Sequence, residues 1–360
     1  MRRRLALWVL LMLSTAAFGQ EAPPSPWTLG GSLIVQPFAA YGGSFTYGSS
    51  STLGLSFEAG SGRARAEASL EAAVLAGQAA AQAWAFGRAD ELLLPAPPGR
   101  GDVALAGRVR TMYAKLDLDW ISLTAGRQVI NYGRGALWSP TDIFTELDLS
   151  GISPVRRGTD ALRVAVPLGE TAGFDLVGAP TLAPADGRYA ARLGALLGDV
   201  VDAAAVAARD GAGEGWVFGA DFKTDVVVGL TAEAVYDLPD AGEWGWVRAA
   251  GGVDWSIGDF ILAAEYYYNG GGASADLLFP GMHNVYASVT WTASQLVQTA
   301  LTVIANIEQG TGTATLITRV SAAQNADVTA FLQGGNASAG FGAGGASWTA
   351  QAGLGLEVKF

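Results

Sequence analysis

From Trp348 to Phe360 the chain alternates strictly. Trp348, Ala350, Ala352, Leu354, Leu356, Val358 and Phe360 fall on one parity, and Thr349, Gln351, Gly353, Gly355, Glu357 and Lys359 on the other. A period of two is that of an extended strand, whose successive side chains point to opposite faces. One face of this strand is oily and the other wet.

The same division recurs upstream. Met112, Ala114, Leu116 and Leu118 oppose Lys115, Asp117 and Asp119, and Trp216, Phe218 and Phe222 oppose Asp221 and Lys223. Leu230, Ala232, Ala234 and Tyr236 oppose Thr231 and Glu233, and Val285, Ala287, Val289 and Trp291 oppose Tyr286, Ser288 and Thr290. Arg63 to Leu75 has the composition of a helix. Its charges, Arg63, Arg65, Glu67 and Glu71, nevertheless all fall on odd positions, which is the strand period. Arg163, Arg248, Asp254 and Glu265 join Lys115, Asp117, Asp119, Asp221 and Glu233 among the charges expected on the wet face.

Alternation places about eighteen strands, at 29–39, 51–60, 63–74, 107–119, 121–130, 158–168, 171–179, 188–196, 199–209, 214–223, 226–238, 244–256, 257–268, 283–294, 296–308, 313–322, 325–335 and 347–360. Connections after even-numbered strands are tight, as at Ser61-Gly62, Gly169-Glu170, Gly198-Asp199 and Thr224-Asp225. The long ones, near 40–50, 75–106, 131–157, 269–282 and 336–346, all follow odd-numbered strands. Long and short connections on opposite ends are the mark of an up-and-down antiparallel transmembrane β-barrel with short periplasmic turns and long extracellular loops. A missed or invented hairpin changes the count by two, so sixteen strands is the alternative.

Lipid is the natural solvent for the oily face. No run of eighteen apolar residues follows the N-terminal segment, although hydrophobic residues make up 50% of the chain. In a bilayer only helices and closed barrels satisfy every backbone polar group, so finely spread apolar content points to a barrel. Aromatics gather near the strand ends, at Trp27, Trp120, Trp138, Trp244, Trp246, Trp255, Trp291, Trp348 and Phe360, and are expected in the two interfacial girdles.

The N-terminus carries its own instruction. Arg2 to Arg4, an apolar run from Leu5 to Leu13 and small residues through Gly19 describe a cleavable signal peptide over 1–19. A Pro-rich periplasmic leader follows at 20–28, and a single barrel domain at 29–360. The expected location is the bacterial outer membrane, with its lipid as one partner and the barrel-assembly machinery, engaged through the terminal strand ending at Phe360, as another.

Composition then removes several chemistries. The chain has no Cys and one His, His283, so thiolate metal sites and cysteine nucleophiles are excluded and no cofactor is implied. A net charge of −11, three units lower once the signal arginines are lost, argues against nucleic acid. His283 with Asn284 and Ser288 superficially resembles the Ser/His/Asn site of barrel phospholipases, but Asn284 falls on the opposite strand face. We read no enzyme here.

The densest unusual segment runs from Gly126-Arg127-Gln128 through Tyr132-Gly133-Arg134-Gly135 and Ser139-Pro140-Thr141-Asp142 to Gly158-Thr159-Asp160-Ala161-Leu162-Arg163. It resembles a porin-like family of bacterial outer-membrane barrels that share a Gly-Arg-Gln strand end, an aromatic-Gly turn, a Ser/Asn-Pro-x-Asp segment and a strand opening Gly-x-Asp-Ala-Leu-Arg. Tyr132 stands where Trp is frequent in that family. The resemblance implies a barrel. It does not name a solute.

The segment contains the third external loop, 131–157, and mixes charge signs. Arg127, Arg134, Arg156, Arg157 and Arg163 stand against Asp142, Glu146, Asp148 and Asp160. Folded inward, such a loop would constrict the lumen and set ion preference, because pore charges act at short range; alternatively, these charges pair to pin the loop to the wall. The expected function is passive or weakly selective diffusion of small polar solutes. The rival is a surface-polysaccharide exporter or anchor, or an adhesin, with a plugged lumen. No flat apolar interface is legible, so the oligomeric state stays open.

Overall fold

The computed structural model describes residues 26–80, 92–95, 102–145, 147–148, 155–211, 215–240, 244–272, 279, 281–336 and 348–360. The expected signal peptide, the tip of the second external loop and Glu146 lie outside these residues, as does the side chain of Asp148.

Among the described residues twenty-one strands run in chain order. They are β1 (Trp27–Tyr41), β2 (Phe45–Ser61), β3 (Ala64–Gly77), β4 (Leu92–Pro95), β5 (Val103–Asp117), β6 (Ser122–Gln128), β7 (Leu147–Asp148), β8 (Val155–Arg156), β9 (Thr159–Pro167), β10 (Ala172–Ala179) and β11 (Arg188–Leu197). The rest are β12 (Val201–Asp210), β13 (Gly215–Asp225), β14 (Gly229–Pro239), β15 (Trp246–Ile257), β16 (Phe260–Asn269), β17 (His283–Ser294), β18 (Val297–Asn306), β19 (Thr311–Ala323), β20 (Ala326–Gly335) and β21 (Thr349–Lys359). Eighteen of them pair antiparallel with their neighbours into one ring. Beside it, β4 extends the edge of β5, and β7 and β8 pair only with each other.

The ring closes where β1 meets β21, in a register that sets Ser32 opposite Lys359 and Tyr41 opposite Ala350. Reciprocal hydrogen bonds between the backbones of Gly31 and Phe360, at 2.9 and 3.0 Å, finish the seam. Closure joins the first and last edges of the eighteen-strand ring, which is what a sheet in lipid requires.

Alternation decides the faces as expected. Leu354, Leu356 and Phe360 are exposed on the outer wall of β21 and β1, while Glu357 and Gln351 point inward and are partly covered. Leu70 and Val74 face out from β3, so the Ala-rich stretch is a strand and not a helix. Aromatic pairs mark the outer rim: Phe260 stacks on Trp291 with centroids 6.0 Å apart, and Trp216 on Phe218 at 6.1 Å. Trp120, Trp244, Trp255 and Trp348 are likewise exposed.

Three expectations are corrected. The first external connection is not a loop over 40–50, because Tyr41 pairs with Phe45 and the strands run on to a tight turn. Its Gly/Ser-rich sequence shows no apolar alternation, yet backbone pairing does not need any. Trp246 shares the parity of Arg248 and is partly covered on the inner face, and Trp138 is 3% exposed inside the barrel. Neither belongs to a girdle. A large aromatic near a strand end reads alike whether lipid or a folded-in loop covers it.

Candidate functional site

Between β6 and β9 the described residues through 145 do not project away from the barrel. Ile130, Tyr132, Leu137, Trp138, Thr141 and Phe144 are all buried, several completely. Ile130, Tyr132 and Phe144 pack on Val177, Val206, Val217 and Val235, which are inward-facing residues of β10, β12, β13 and β14. So one arc of the inner wall is apolar, and the third loop is its cover.

A second contact lies further round. Trp138 stacks on Tyr267 of β16 with centroids 5.4 Å apart and planes 19° from parallel, and Phe279 meets it edge-on at 5.3 Å. Phe279 belongs to the connection after β16, held there by Asn269, whose Nδ2 donates to the Phe279 carbonyl at 2.9 Å. Asn284 and Asn306 continue this buried amide row at 3.0 Å. Two external connections thus meet inside the rim.

Polar anchoring comes from two wall acids. Glu233 of β14 accepts from the backbone N–H groups of Arg134 and Gly135, the latter at 2.8 Å, and from the Thr141 hydroxyl at 2.7 Å. Glu265 of β16 accepts from the backbone N–H groups of Ala136, Leu137 and Trp138 at 2.8, 3.0 and 2.8 Å. This approach needs Gly135, because a Cβ there would collide with the Trp138 carbonyl and lie 2.8 Å from Glu265 Oε1.

Charge pairing runs beside these anchors. Arg134 donates to Asp221 Oδ1 at 2.9 Å and to Asp202 Oδ1 at 2.7 Å. Arg192 of β11 reaches the same Asp221 at 3.1 Å and lies over the Tyr132 ring, 5.4 Å from its centroid. Arg163 grips Asp175 through two hydrogen bonds, at 3.1 and 2.8 Å. Within the loop Arg156 donates to Asp142 at 2.8 Å and to the Ser139 hydroxyl at 3.1 Å. Burial pushes the Asp142 carboxyl up to about 6, against the opposing pull of Arg156 and of hydrogen bonds from Thr145 and Phe144. For Arg134, burial favours loss of the proton, but the hydrogen bonds to Asp221 and Asp202 outweigh it and raise its pKa.

The predicted residues therefore divide. Arg134, Asp142, Arg156 and Arg163 lie in or against the inward loop. Arg127 and Asp160 pair with each other at 2.7 Å, on the parity of Met112 and Leu162, which are exposed on the outer wall. They do not face the lumen, because strand parity persists to the last residue before the loop. Asp221, Glu233 and Glu265 face inward as expected but are buried under the loop. Arg248 pairs with Asp237, and Lys115 with Asp117. Asp119 lies past the end of β5, paired with Arg63, and Asp254 is exposed at the turn end of β15.

Arg157 lines a cavity of about 240 Å³ between the loop's return and the wall of β3 and β5, together with Glu67, Arg108, Arg110, Thr111 and Arg156. Sequence reading missed Asp175, Asp202 and Arg192. Their parity was legible; the loop that meets them was not. His283 lies on the outer face against the Tyr266 hydroxyl at 2.6 Å, whereas Asn284 points inward, so the two do not form one site.

Beyond this arc the inner wall of β19–β21, β1 and β2 carries amides and hydroxyls over its outer half, while Glu58, Arg319, Asp327, Glu357 and Lys359 face inward nearer the tight turns. Gln351 donates to Gln333 at 2.8 Å and Gln333 to the Thr315 hydroxyl at 3.0 Å, crossing β21, β20 and β19. Ser32, Gln36 and Ser50 continue the inward face through β1 and β2.

No family model and no curated protein matches the sequence. Solved structures do match the fold. The outer membrane protein OpdK of Pseudomonas aeruginosa aligns with a TM-score of 0.58 at 12% identity, covering 92% of this chain and 98% of its own. OccAB4 of Acinetobacter baumannii aligns with a TM-score of 0.60 at 8% identity, covering 95% and 100%. OprD of Pseudomonas aeruginosa gives 0.58 at 9%, covering 93% and 95%. At these identities the likeness is one of architecture.

Proposed function

We propose that this chain is an outer-membrane channel through which small polar solutes diffuse with weak selectivity, its third loop narrowing the lumen. The observation that carries this is the inward loop itself, fastened to Glu233 and Glu265 by its own backbone. Shared architecture with the outer membrane protein OpdK supports the location. In this reading the signal at 1–19 exports the chain, the strand ending at Phe360 presents it to the barrel-assembly machinery, and the long connections face the cell exterior.

Weak selectivity is supported by the charge inventory. Arg134, Arg156, Arg163 and Arg192 each have a carboxylate partner, and on the facing arc Gln351, Gln333 and Thr315 are neutral while Lys359 is paired with Asp327. Compensated charge attracts neither ion strongly. Arg156, Arg157 and Arg163 are the residues of this proposal whose charge a passing solute would meet, with Asp142 buried behind Arg156 and setting its balance.

A specific observation favours the rival. Trp138, Tyr267, Phe279 and Tyr286 pack together within the rim, as they would in a plugged barrel that anchors or adheres. Single-channel recording from purified protein in planar bilayers separates the two. Steady conductance with a small reversal potential under a salt gradient is expected. Folded, heat-modifiable protein that adds no conductance to the bilayer would favour the plug.

A further inference from the structure

Glu233 and Glu265 are 3% and 5% exposed, and the loop meets them with backbone rather than side-chain donors. A carboxylate withdrawn from water is costly unless donors surround it, and a run of unpaired backbone N–H groups is costly for the same reason. Each solves the other's problem. Because the donors are main-chain, the contact fixes where the backbone of 134–138 lies whatever side chains it carries. It also requires an acceptor at every position: a glutamine amide would turn an –NH2 group toward N–H donors.

The two acids stand on β14 and β16, and Arg134 adds Asp202 and Asp221 on β12 and β13. All of these lie on one side of the ring. The hydroxyl and amide arc of β19–β21 and β1–β2 receives no such contact from residues 131–145 among those described.

We propose that Glu233 and Glu265 are positioning residues, holding the third loop against the β12–β16 side so that solute passes along the amide- and hydroxyl-lined arc opposite. The location of the path rests on the channel reading; the anchoring does not.

The absence of cysteine permits a direct test on the full chain. Leu137→Cys places a single thiol in the buried part of the loop. Its reaction with a water-soluble thiol reagent is compared in three backgrounds: otherwise unchanged, Glu233→Gln with Glu265→Gln, and Asp327→Asn, whose partners Ser321 and Lys359 lie away from the loop. The expected result is labelling about tenfold or more faster in the double variant, with the heat-modifiable form retained and the Asp327 control unchanged. Equal, slow labelling in all three overturns the anchoring. If the double variant does not assemble, each single glutamine substitution is read by the same criterion. Conductance on the same samples separates the two proposals. Faster labelling without conductance in any background retires the channel and leaves the anchoring, whereas conductance with unchanged labelling does the reverse.

Discussion

Trp138 of the third loop lies nearly parallel to Tyr267 of β16, their ring centroids 5.4 Å apart, both residues almost fully buried. A loop residue thus shares a core with an inward-facing strand residue more than a hundred positions away. Inside this barrel the loop behaves as part of a packed interior, and its removal should be felt as core damage.

Trp138→Ala should therefore loosen the loop by about 3–5 kcal/mol, the range for truncating a buried aromatic. Strand pairing does not involve this side chain, so the barrel should still migrate as the folded form in cold detergent. Limited proteolysis should newly cut within 131–157. Unchanged resistance to protease would mean that Glu233 and Glu265 hold the loop without the stack.

The Asp142–Arg156 pair should make ion preference depend on pH. Burial raises the Asp142 pKa to about 6 from 3.8. Ionisation is thus harder in the fold than in the unfolded chain. The resulting stability cost develops between about pH 4 and pH 6, is complete above that, and is absent below both values. As pH falls through about 6, Asp142 becomes neutral and Arg156 keeps its charge, so reversal potentials should move toward anion preference. In Asp142→Asn the step centred near pH 6 should be missing.

Arg134→Ala should destabilise the loop by less than the roughly 3–5 kcal/mol typical of breaking a buried ion pair. Asp221 is inaccessible to solvent, but Arg192 remains within 3.1 Å to hold its charge. Adding Arg192→Ala should then cost more than the two single changes combined, because only the pair strands Asp221. The temperature at which the folded band disappears on a detergent gel reads both effects. Simple additivity would deny that the two arginines share this acid.

At the seam, a Cβ on Gly31 would lie 2.6 Å from the Phe360 ring and 2.8 Å from the Gly54 carbonyl. Gly31→Val should displace the terminal phenylalanine and weaken closure between β1 and β21. The expected readout is a lower melting temperature of the folded band and slower refolding into lipid vesicles, with Gly251→Val, where a Cβ meets only the Thr231 carbonyl at 3.9 Å, as comparison. Equal refolding of the two would remove Phe360 from closure.

Much of this was legible along the chain, for a physical reason. A period of two needs no partner to be read, so the outward parity of Leu354 and Leu356 and the strand nature of Arg63 to Leu75 followed from residue order alone, as did a ring of about eighteen strands. Parity also placed Asp221, Glu233 and Glu265 on the inner face. What parity could not say is what covers them. Water and a folded-in loop both accept a carboxylate, and they leave the same letters in a strand. The docking of residues 131–145, the burial of Trp138, the outward placement of the Arg127–Asp160 pair and the roles of Asp202 and Arg192 depend on which segments distant in sequence meet. Closure of the sheet decides that. Each strand carries its own two faces, but only the assembled wall sets Glu233 and Glu265, one strand apart, beneath a glycine-bearing loop whose backbone can reach them both.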